Sequence, residues 1–297
     1  MVARMNETVR SSNAASLPGA AFCCLALALV ACSREQSAPQ VAPQSAPQSS
    51  PPATESASKE ADAPAAAATS PAAKASAPAA EVAPPADMYG TCEPGEGGSG
   101  RTYMGREIAE VMGHFGVGWL ERPEREREER TDLLVGAMKL KATDAVADIG
   151  AGSGYFTMRI ARIVDEGVVY ATDIQKEMLD IVTERALEDG AHNVMPVLGE
   201  IDHCGLEANS VDVVLFVDAY HEFSHPWEMM TSIVRALKPG GRVYLVEYRL
   251  EDPTVPIKER HKMSEAQARR EMEAVGLGFV ENIGVLPQQH ILVFERR

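Results

Sequence analysis

From Ala145 onward, short apolar runs alternate with stretches whose apolar residues recur at helical spacing, and that alternation leaves few folds open. Val146–Ile149, Val168–Thr172, Val194–Leu198, Val211–Val217 and Arg242–Tyr248 read as strands. Tyr155–Val164, Lys176–Asp189, Trp227–Leu237 and Ser264–Val275 read as helices, the second with Met178, Leu179, Ile181, Val182 and Leu187 along one side. Val211–Val217 is almost unbroken in its apolar character, as expected of a central parallel strand covered on both faces. Ser264 and Gln267 have the spacing of a capping box, and Gly276 follows the same helix. Phe279–Val285 and His290–Phe294 close the sequence as two further strands joined by a turn containing Pro287. The pattern predicts an α/β fold: a doubly wound, mostly parallel seven-stranded sheet with one antiparallel edge strand and helices on both faces. In such sheets ligands bind beyond the carboxyl ends of the strands.

Asp148-Ile149-Gly150-Ala151-Gly152-Ser153-Gly154 lies where the first of these strands turns into the first helix. Glycines at such a turn let the backbone approach a nucleotide-like ligand closely. Asp173 stands 23 residues beyond Gly150, at the end of the next strand, where an acid can accept hydrogen bonds from both ribose hydroxyls. The spacing is Gly-x-Gly-x-Gly with an acid two residues ahead, not the Gly-x-Gly-x-x-Gly that a pyrophosphate dinucleotide prefers at a free helix start.

Taken together, these features resemble the class I S-adenosylmethionine-dependent methyltransferases. Val197–Ile201 lies where that family places an adenine-contacting acid, and Lys238-Pro239-Gly240-Gly241 is similar to its late-strand turn. The resemblance spans residues 125–297. It implies an enzyme that uses S-adenosyl-L-methionine as cofactor. It further implies that the loop of Asp148, Gly150, Gly152 and Gly154 holds the methionine part and that Asp173 holds the ribose, with Ile174 beside it among the cofactor-binding residues. Glu200 or the Ile201 backbone would recognise adenine, and Asp218 would face the cofactor's amino group or the substrate. The sulfonium already activates the methyl group, so positioning does most of the work. A base is needed only where the acceptor must lose a proton.

Tyr220, His221 and Glu222 follow the fourth strand, on the loop that in this family faces the transferring methyl. They are the candidate catalytic residues, with His221 the expected general base because its unperturbed pKa is about 6.5. His221-Glu222-Phe223-Ser224-His225 also matches the H-E-x-x-H zinc pattern, which makes a zinc hydrolase a minor alternative. That pattern works only on a helix. Here it follows a strand, and Pro226 biases His225 away from helical angles. No metal site is expected, and Cys92 and Cys204 alone do not make one; whether they form a disulfide stays open.

Ahead of the alternating region, residues 88–124 read as an N-terminal extension or lid. They hold a glycine-rich stretch from Gly90 to Gly100, then a helix expected around Arg106–Met112. After Pro123 a long charged helix is expected, its Glu/Arg run forming a solvated face. Arg106, His114, Trp119 and Arg122 here, with Arg249, Lys258, His261 and Lys262 after the fifth strand, would together make a cationic rim suited to an anionic substrate.

Residues 33–87 hold 10 of the 19 prolines and 19 alanines, and no aromatic residue, Leu or Ile. Such a segment cannot bury enough apolar surface to offset its conformational entropy, so residues 32–87 read as a disordered tether, spanning ~40 Å if flexible. Before it, Arg4 and Arg10 precede the apolar run Ala20–Ala31. A run of this length is a secretory signal rather than a membrane span. Leu29-Val30-Ala31-Cys32 resembles a bacterial lipobox, which implies that residues 1–31 are removed and Cys32 is lipidated. The implied location is the bacterial envelope, at the periplasmic face of the outer membrane; without a working leader it is the cytoplasm. An exported chain must meet S-adenosylmethionine outside the cytoplasm, so a lipid-anchored binding module without turnover is the alternative reading. Residues 88–297 carry 23 Lys and Arg against 36 Asp and Glu, a net charge of −13, which disfavours nucleic acid as a partner. The loop after the fourth strand lacks the Asp/Asn-Pro-Pro-Tyr/Phe motif of base amino-methyltransferases, and two thiols are few for arsenite chemistry. The methyl acceptor is left among small molecules, lipid head groups and envelope proteins.

Overall fold

The computed structural model describes residues 83–297; the expected signal peptide, the expected lipidation site Cys32 and nearly all of the expected tether lie outside the described residues. The described chain opens with a three-stranded antiparallel sheet of β1 (Tyr89–Thr91), β2 (Gly98–Tyr103) and β3 (Arg106–Ala109). Arg106–Met112 is therefore not the expected helix. Glu107 explains why: its buried carboxylate accepts hydrogen bonds from the backbone N–H groups of Gly95 (3.0 Å) and Gly100 (3.1 Å), which ties the glycine-rich stretch to β3.

Three short helices follow, α1 (Val117–Leu120), α2 (Arg125–Glu129) and α3 (Thr131–Ala137). The expected long charged helix is broken between the last two at Arg130, whose φ of 54° lies in the left-handed region. Its charged run is a solvated face only in part: Glu124, Glu126, Arg127 and Arg130 are exposed, whereas Arg125 and Glu129 are buried.

The main sheet is built from β4 (Ala145–Ile149), β5 (Val168–Asp173), β6 (Val194–Leu198), β7 (Val211–Val217), β8 (Leu237–Arg249), β9 (Lys262–Met263), β10 (Leu277–Ile283) and β11 (Gln289–Arg296). Helices α4 (Tyr155–Ala161), α5 (Lys176–Asp189), α6 (Pro226–Ala236) and α7 (Glu265–Ala274) connect them. The strand order is β10-β11-β8-β7-β4-β5-β6, with β9 paired off this path to β8. The sheet has eight strands where seven were expected, because β9 pairs with β8 beside the path, and the small antiparallel sheet is a further addition. The reversed strand is not at the edge. β11 runs antiparallel to both β8 and β10 and sits between them, so that β10 forms the edge.

Alternation along the central strands sorts their side chains to two faces, as a period of two requires. Val214 and Phe216 of β7, with Val243 and Leu245 of β8, pack on one side with Met230 and Ile233 of α6 and Met272 of α7. Val213 and Leu215, with Tyr244 and Val246, pack on the other with Leu134 of α3 and Phe156 and Ile160 of α4. Ser264 caps α7 as expected, its side chain accepting from the Gln267 N–H, but the Gln267 side-chain oxygen that would complete the box accepts from the Arg270 guanidinium instead. Cys92 is exposed and Cys204 buried, and both are free thiols. Among the described residues no helix is long and apolar enough to cross a membrane.

The turn from β4 into α4 needs its glycines. Gly150 has φ 72°, and a Cβ there would lie 2.8 Å from the Ala219 Cβ on the loop after β7. Left-handed backbone costs an L-residue about 1–2 kcal/mol before any clash. Gly150→Ala is therefore expected to lower the unfolding free energy by about 1–3 kcal/mol in urea titration. An unchanged midpoint would mean that the turn relaxes without cost.

Candidate functional site

The parallel strands β4, β5, β7 and β8 end at one edge of the sheet, and a cavity of about 480 Å³ opens there. That is within the ordinary range of small-molecule sites. Its floor is the glycine turn: Gly150 and Ala151 donate their N–H groups to the Thr172 carbonyl (2.8 and 3.1 Å), and Gly152 donates to Asp173 Oδ2 (2.9 Å). Of the residues expected at the cofactor site, Gly150, Gly152, Asp173 and Ile174 line the cavity. Gly154 does not. It starts α4 at φ 78°, and its space is set by Val182. Asp148 also turns away, because its carboxylate accepts from the Thr157 hydroxyl at 2.6 Å and is buried beneath the turn. Burial raises its pKa to about 6, against the opposing bond from Thr157. Asp148 therefore braces the loop onto α4 rather than touching a ligand.

Asp173 keeps both oxygens engaged, Oδ1 with the Gln175 N–H at 2.9 Å and Oδ2 with Gly152. Burial holds its pKa above the usual carboxylate range. Beyond β6, Gly199 and Ile201 reach the cavity, whereas Glu200 does not line it. Asp218 does, from a strained backbone at φ 51°. Its Oδ2 accepts from the Gln289 amide at 2.7 Å, while Oδ1 is buried with no hydrogen-bond partner. Thr172 Oγ1, on the same wall, is in the same condition. Burial, then the charges of Glu129 and Glu247, push the Asp218 carboxyl well up.

The loop after β7 separates the three candidate catalytic residues. His221 and Glu222 line the cavity, but Tyr220 does not. Its phenol donates to Glu271 Oε2 at 2.8 Å, inside a buried network in which Arg106 pairs with the same carboxylate at 2.9 Å. His221 is held on both sides. Its Nδ1 lies 2.6 Å from Glu247 Oε2, and its Nε2 lies 3.0 Å from His261 Nδ1. Burial pushes the His221 pKa down, but the Glu247 carboxylate carries it above its ordinary value. Burial and the neighbouring His221 and Lys258 charges lower His261 to about 4. Glu222 accepts from the Met112 N–H at 3.1 Å and has its carboxyl raised by burial.

His225 takes no part in this cluster. Tyr220–Glu222 is a single 3₁₀ turn, and His225 stands at the start of α6 with its Nδ1 2.9 Å from Ser224 Oγ and no bond to the helix N–H groups, so the H-E-x-x-H residues never share a helical face. The partner that the fold brings to His221 and Glu222 is His261, from the turn before β9.

The expected cationic rim is not formed. Arg249 is spent on the carbonyls of Leu286, Pro287 and Gln289, Lys262 on that of Val255, and Arg106 on Glu271. His114 lies off the cavity, joined through its N–H to Gln175. Trp119, Lys258 and His261 do line it, and Arg122 stacks on Trp119 at 3.7 Å while bonding Glu129. The charged lining holds four carboxylates, Glu129, Asp173, Asp218 and Glu222, against Arg125 and Lys258. Such a lining suits a ligand with positive charge better than an anion.

Sequence reasoning missed Arg125, Glu129 and Glu247. Glu247 left a signal, a lone acid inside the apolar run Val243–Tyr248. Arg125 and Glu129 left none that separates them from their exposed neighbours in the Glu/Arg run.

Residues 147–245 match a family model described as a methyltransferase domain. The chain is 34% identical over 130 residues to an uncharacterized methyltransferase-like protein of Schizosaccharomyces pombe, covering 44% of this chain and 48% of that protein. It is 30% identical over 128 residues to the uncharacterized methyltransferase YcgJ of Bacillus subtilis, covering 43% and 50%. It is 34% identical over 105 residues to a ubiquinone/menaquinone biosynthesis C-methyltransferase of Ectopseudomonas mendocina, covering 35% and 41%. The chain thus spans half or less of the length of these relatives. A solved SAM-dependent methyltransferase from Aquifex aeolicus superposes with a TM-score of 0.60 at 22% identity, covering 63% of this chain and all of that one, which shows a shared methyltransferase fold.

The bracing role of Asp148 has a pH signature. Below about pH 3.8 the group is protonated whether folded or unfolded, and above about 6 it is ionised in both states. Between them the folded chain keeps a proton that the unfolded chain sheds, so the stability this group contributes falls as pH rises through that window. Asp148→Asn should gain on the wild type by about 1–3 kcal/mol between about pH 4 and pH 7 in urea unfolding. A difference independent of pH would contradict the assignment.

Proposed function

We propose that this chain is an S-adenosylmethionine-dependent methyltransferase whose cofactor lies in the cavity at the carboxyl ends of β4, β5 and β7. The observation that carries the reading is the convergence of Gly150, Gly152, Asp173 and the unpartnered Asp218 Oδ1 on one cavity. These residues fit the cofactor. The two glycines keep the cavity floor free of side chains, since a Cβ at Gly150 would press on Ala219 and one at Gly152 on Leu120, and the acid-rich lining matches a sulfonium and an α-amino group. Asp173 has carboxylate lone pairs left for ribose hydroxyls after serving Gly152 and Gln175, and Asp218 Oδ1 and Thr172 Oγ1 are acceptors awaiting a donor. Gly199 and Ile201 offer backbone to adenine. When bound, the cofactor supplies a methyl group already activated by positive sulfur.

The remaining wall belongs to the acceptor. Trp119, Leu120 and Met112 give one side of the cavity an apolar lining, and His221, Glu222 and His261 hold the polar corner. An acceptor that must lose a proton meets His221 there, its far nitrogen already fixed by Glu247. The acceptor itself is an unidentified small molecule, lipid or envelope component.

Each charge-assisted hydrogen bond is worth about 1.5–3 kcal/mol. Asp173→Ala is therefore expected to weaken S-adenosylhomocysteine binding about tenfold to a hundredfold in calorimetric titration, and Asp173→Asn, which retains one acceptor, by less. Equal affinity in wild type and Asp173→Ala would remove Asp173 from the site, and no binding to folded wild type would remove the proposal. The lipobox-like Leu29–Cys32 supports a lipid-anchored form of the same enzyme in the envelope. Labelling of cells with an alkynyl fatty acid should mark the wild type and spare Cys32→Ala; equal labelling of the two, or none of either, would reject the anchor.

A further inference from the structure

Three donor atoms from two distant parts of the chain meet at the polar corner of the cavity. His221 Nε2 is 3.0 Å from His261 Nδ1, Glu222 Oε1 is 3.9 Å from that Nε2, and it is 3.7 Å from that Nδ1. We infer that these atoms form a binding site for one divalent transition-metal ion, of the zinc or iron(II) class, open toward the cavity.

The triangle has the right size. Donors about 2.0–2.1 Å from a tetrahedral ion stand roughly 3.3–3.4 Å apart, so movements of about half an ångström seat an ion among all three. The donor set is also right. Two imidazoles and one carboxylate, with coordination positions left over, are what catalytic zinc and non-haem iron take, whereas magnesium and calcium favour oxygen alone.

The surroundings prepare each ligand. Glu247 has no solvent exposure, and its bond to His221 Nδ1 leaves the Nε2 lone pair pointing at the corner. A carboxylate behind a histidine in this way fixes the tautomer and raises the basicity of a metal ligand. Glu222 is held by its other oxygen through the Met112 N–H, which frees Oε1. The hydrogen shared between the two imidazoles is what an ion would replace.

The site deepens the methyl-transfer reading, with His221 then acting through the ion it holds instead of taking the proton itself, and only the choice of acceptor rests on that reading. Three protein ligands leave a position facing the cavity, and an acceptor oxygen bound there would have its pKa lowered by the ion. That names the acceptor class as a hydroxyl or other oxygen acid able to coordinate a cation.

The test uses the full chain, stripped with a chelator and dialysed against zinc, with bound metal counted per chain and cobalt substitution followed by its ligand-field absorption. Wild type should bind one ion. His261→Ala and Glu222→Gln should each lose affinity at least tenfold, while Glu247→Gln, a positioning change, should lose about tenfold to a hundredfold. His225→Ala should bind as wild type does. S-adenosylhomocysteine affinity is measured on the same samples, which verifies folding and separates the two readings. Wild type that binds the nucleoside but no zinc would overturn the metal site and leave the cofactor site standing. Zinc retained in His261→Ala would overturn it as well, by placing the ion elsewhere in the chain.

Discussion

The parallel pairing of β5, β4, β7 and β8 is the constraint on which the rest of the molecule depends. Four strands in one direction end at one edge, so residues far apart in sequence are delivered to it together: Gly150 after β4, Asp173 at the end of β5, Asp218 after β7 and Glu247 near the end of β8. The register leaves little freedom, because a slip of one residue would send Val214 and Phe216 to the opposite face and empty one core into the other. The glycine turn is strung on the same ladder. Its N–H groups are satisfied by Thr172 and Asp173 of the neighbouring strand, so the cavity floor inherits the rigidity of the sheet.

On this frame the chain gathers carboxylates that would ordinarily avoid one another. Asp173, Asp218, Glu222 and Glu247 lie in or just behind one cavity, and each of the first three is pushed toward its neutral form by burial. Backbone donors relieve part of this, at Gly152 and Gln175 for Asp173 and at Met112 for Glu222. What is left unrelieved is the acceptor capacity facing the cavity. Ligands that bring positive charge or N–H and O–H donors gain most from it.

The sheet was legible because its code is local. Runs such as Val211–Val217 and the 3.6-residue rhythm of Lys176–Asp189 need no tertiary knowledge, and α5 has the very bounds that its rhythm predicts. The glycine turn was legible for the same reason. Where sequence reasoning failed, an interaction across the fold decided the matter. Arg106–Ala109 became a strand because Glu107 gathers the N–H groups of Gly95 and Gly100. The Glu/Arg run was broken at Arg130, and Arg125 and Glu129 went inward, Arg125 to the Leu120 carbonyl and Glu129 to the Tyr248 hydroxyl. Tyr220 and His221 are adjacent in sequence and face opposite ways, and only the 3₁₀ turn that carries them separates the one that reaches the cavity from the one that does not.

The reversed strand β11 has a consequence for how the molecule is made. It lies between β8 and β10 and bonds to both, so neither neighbour is complete until Gln289–Arg296 has left the ribosome. Until then β8, with its long apolar run, stands at an open margin of the nascent sheet. Closure of the sheet therefore waits on a strand made after both of its neighbours, and until it docks the β8 edge is open to pairing with another chain.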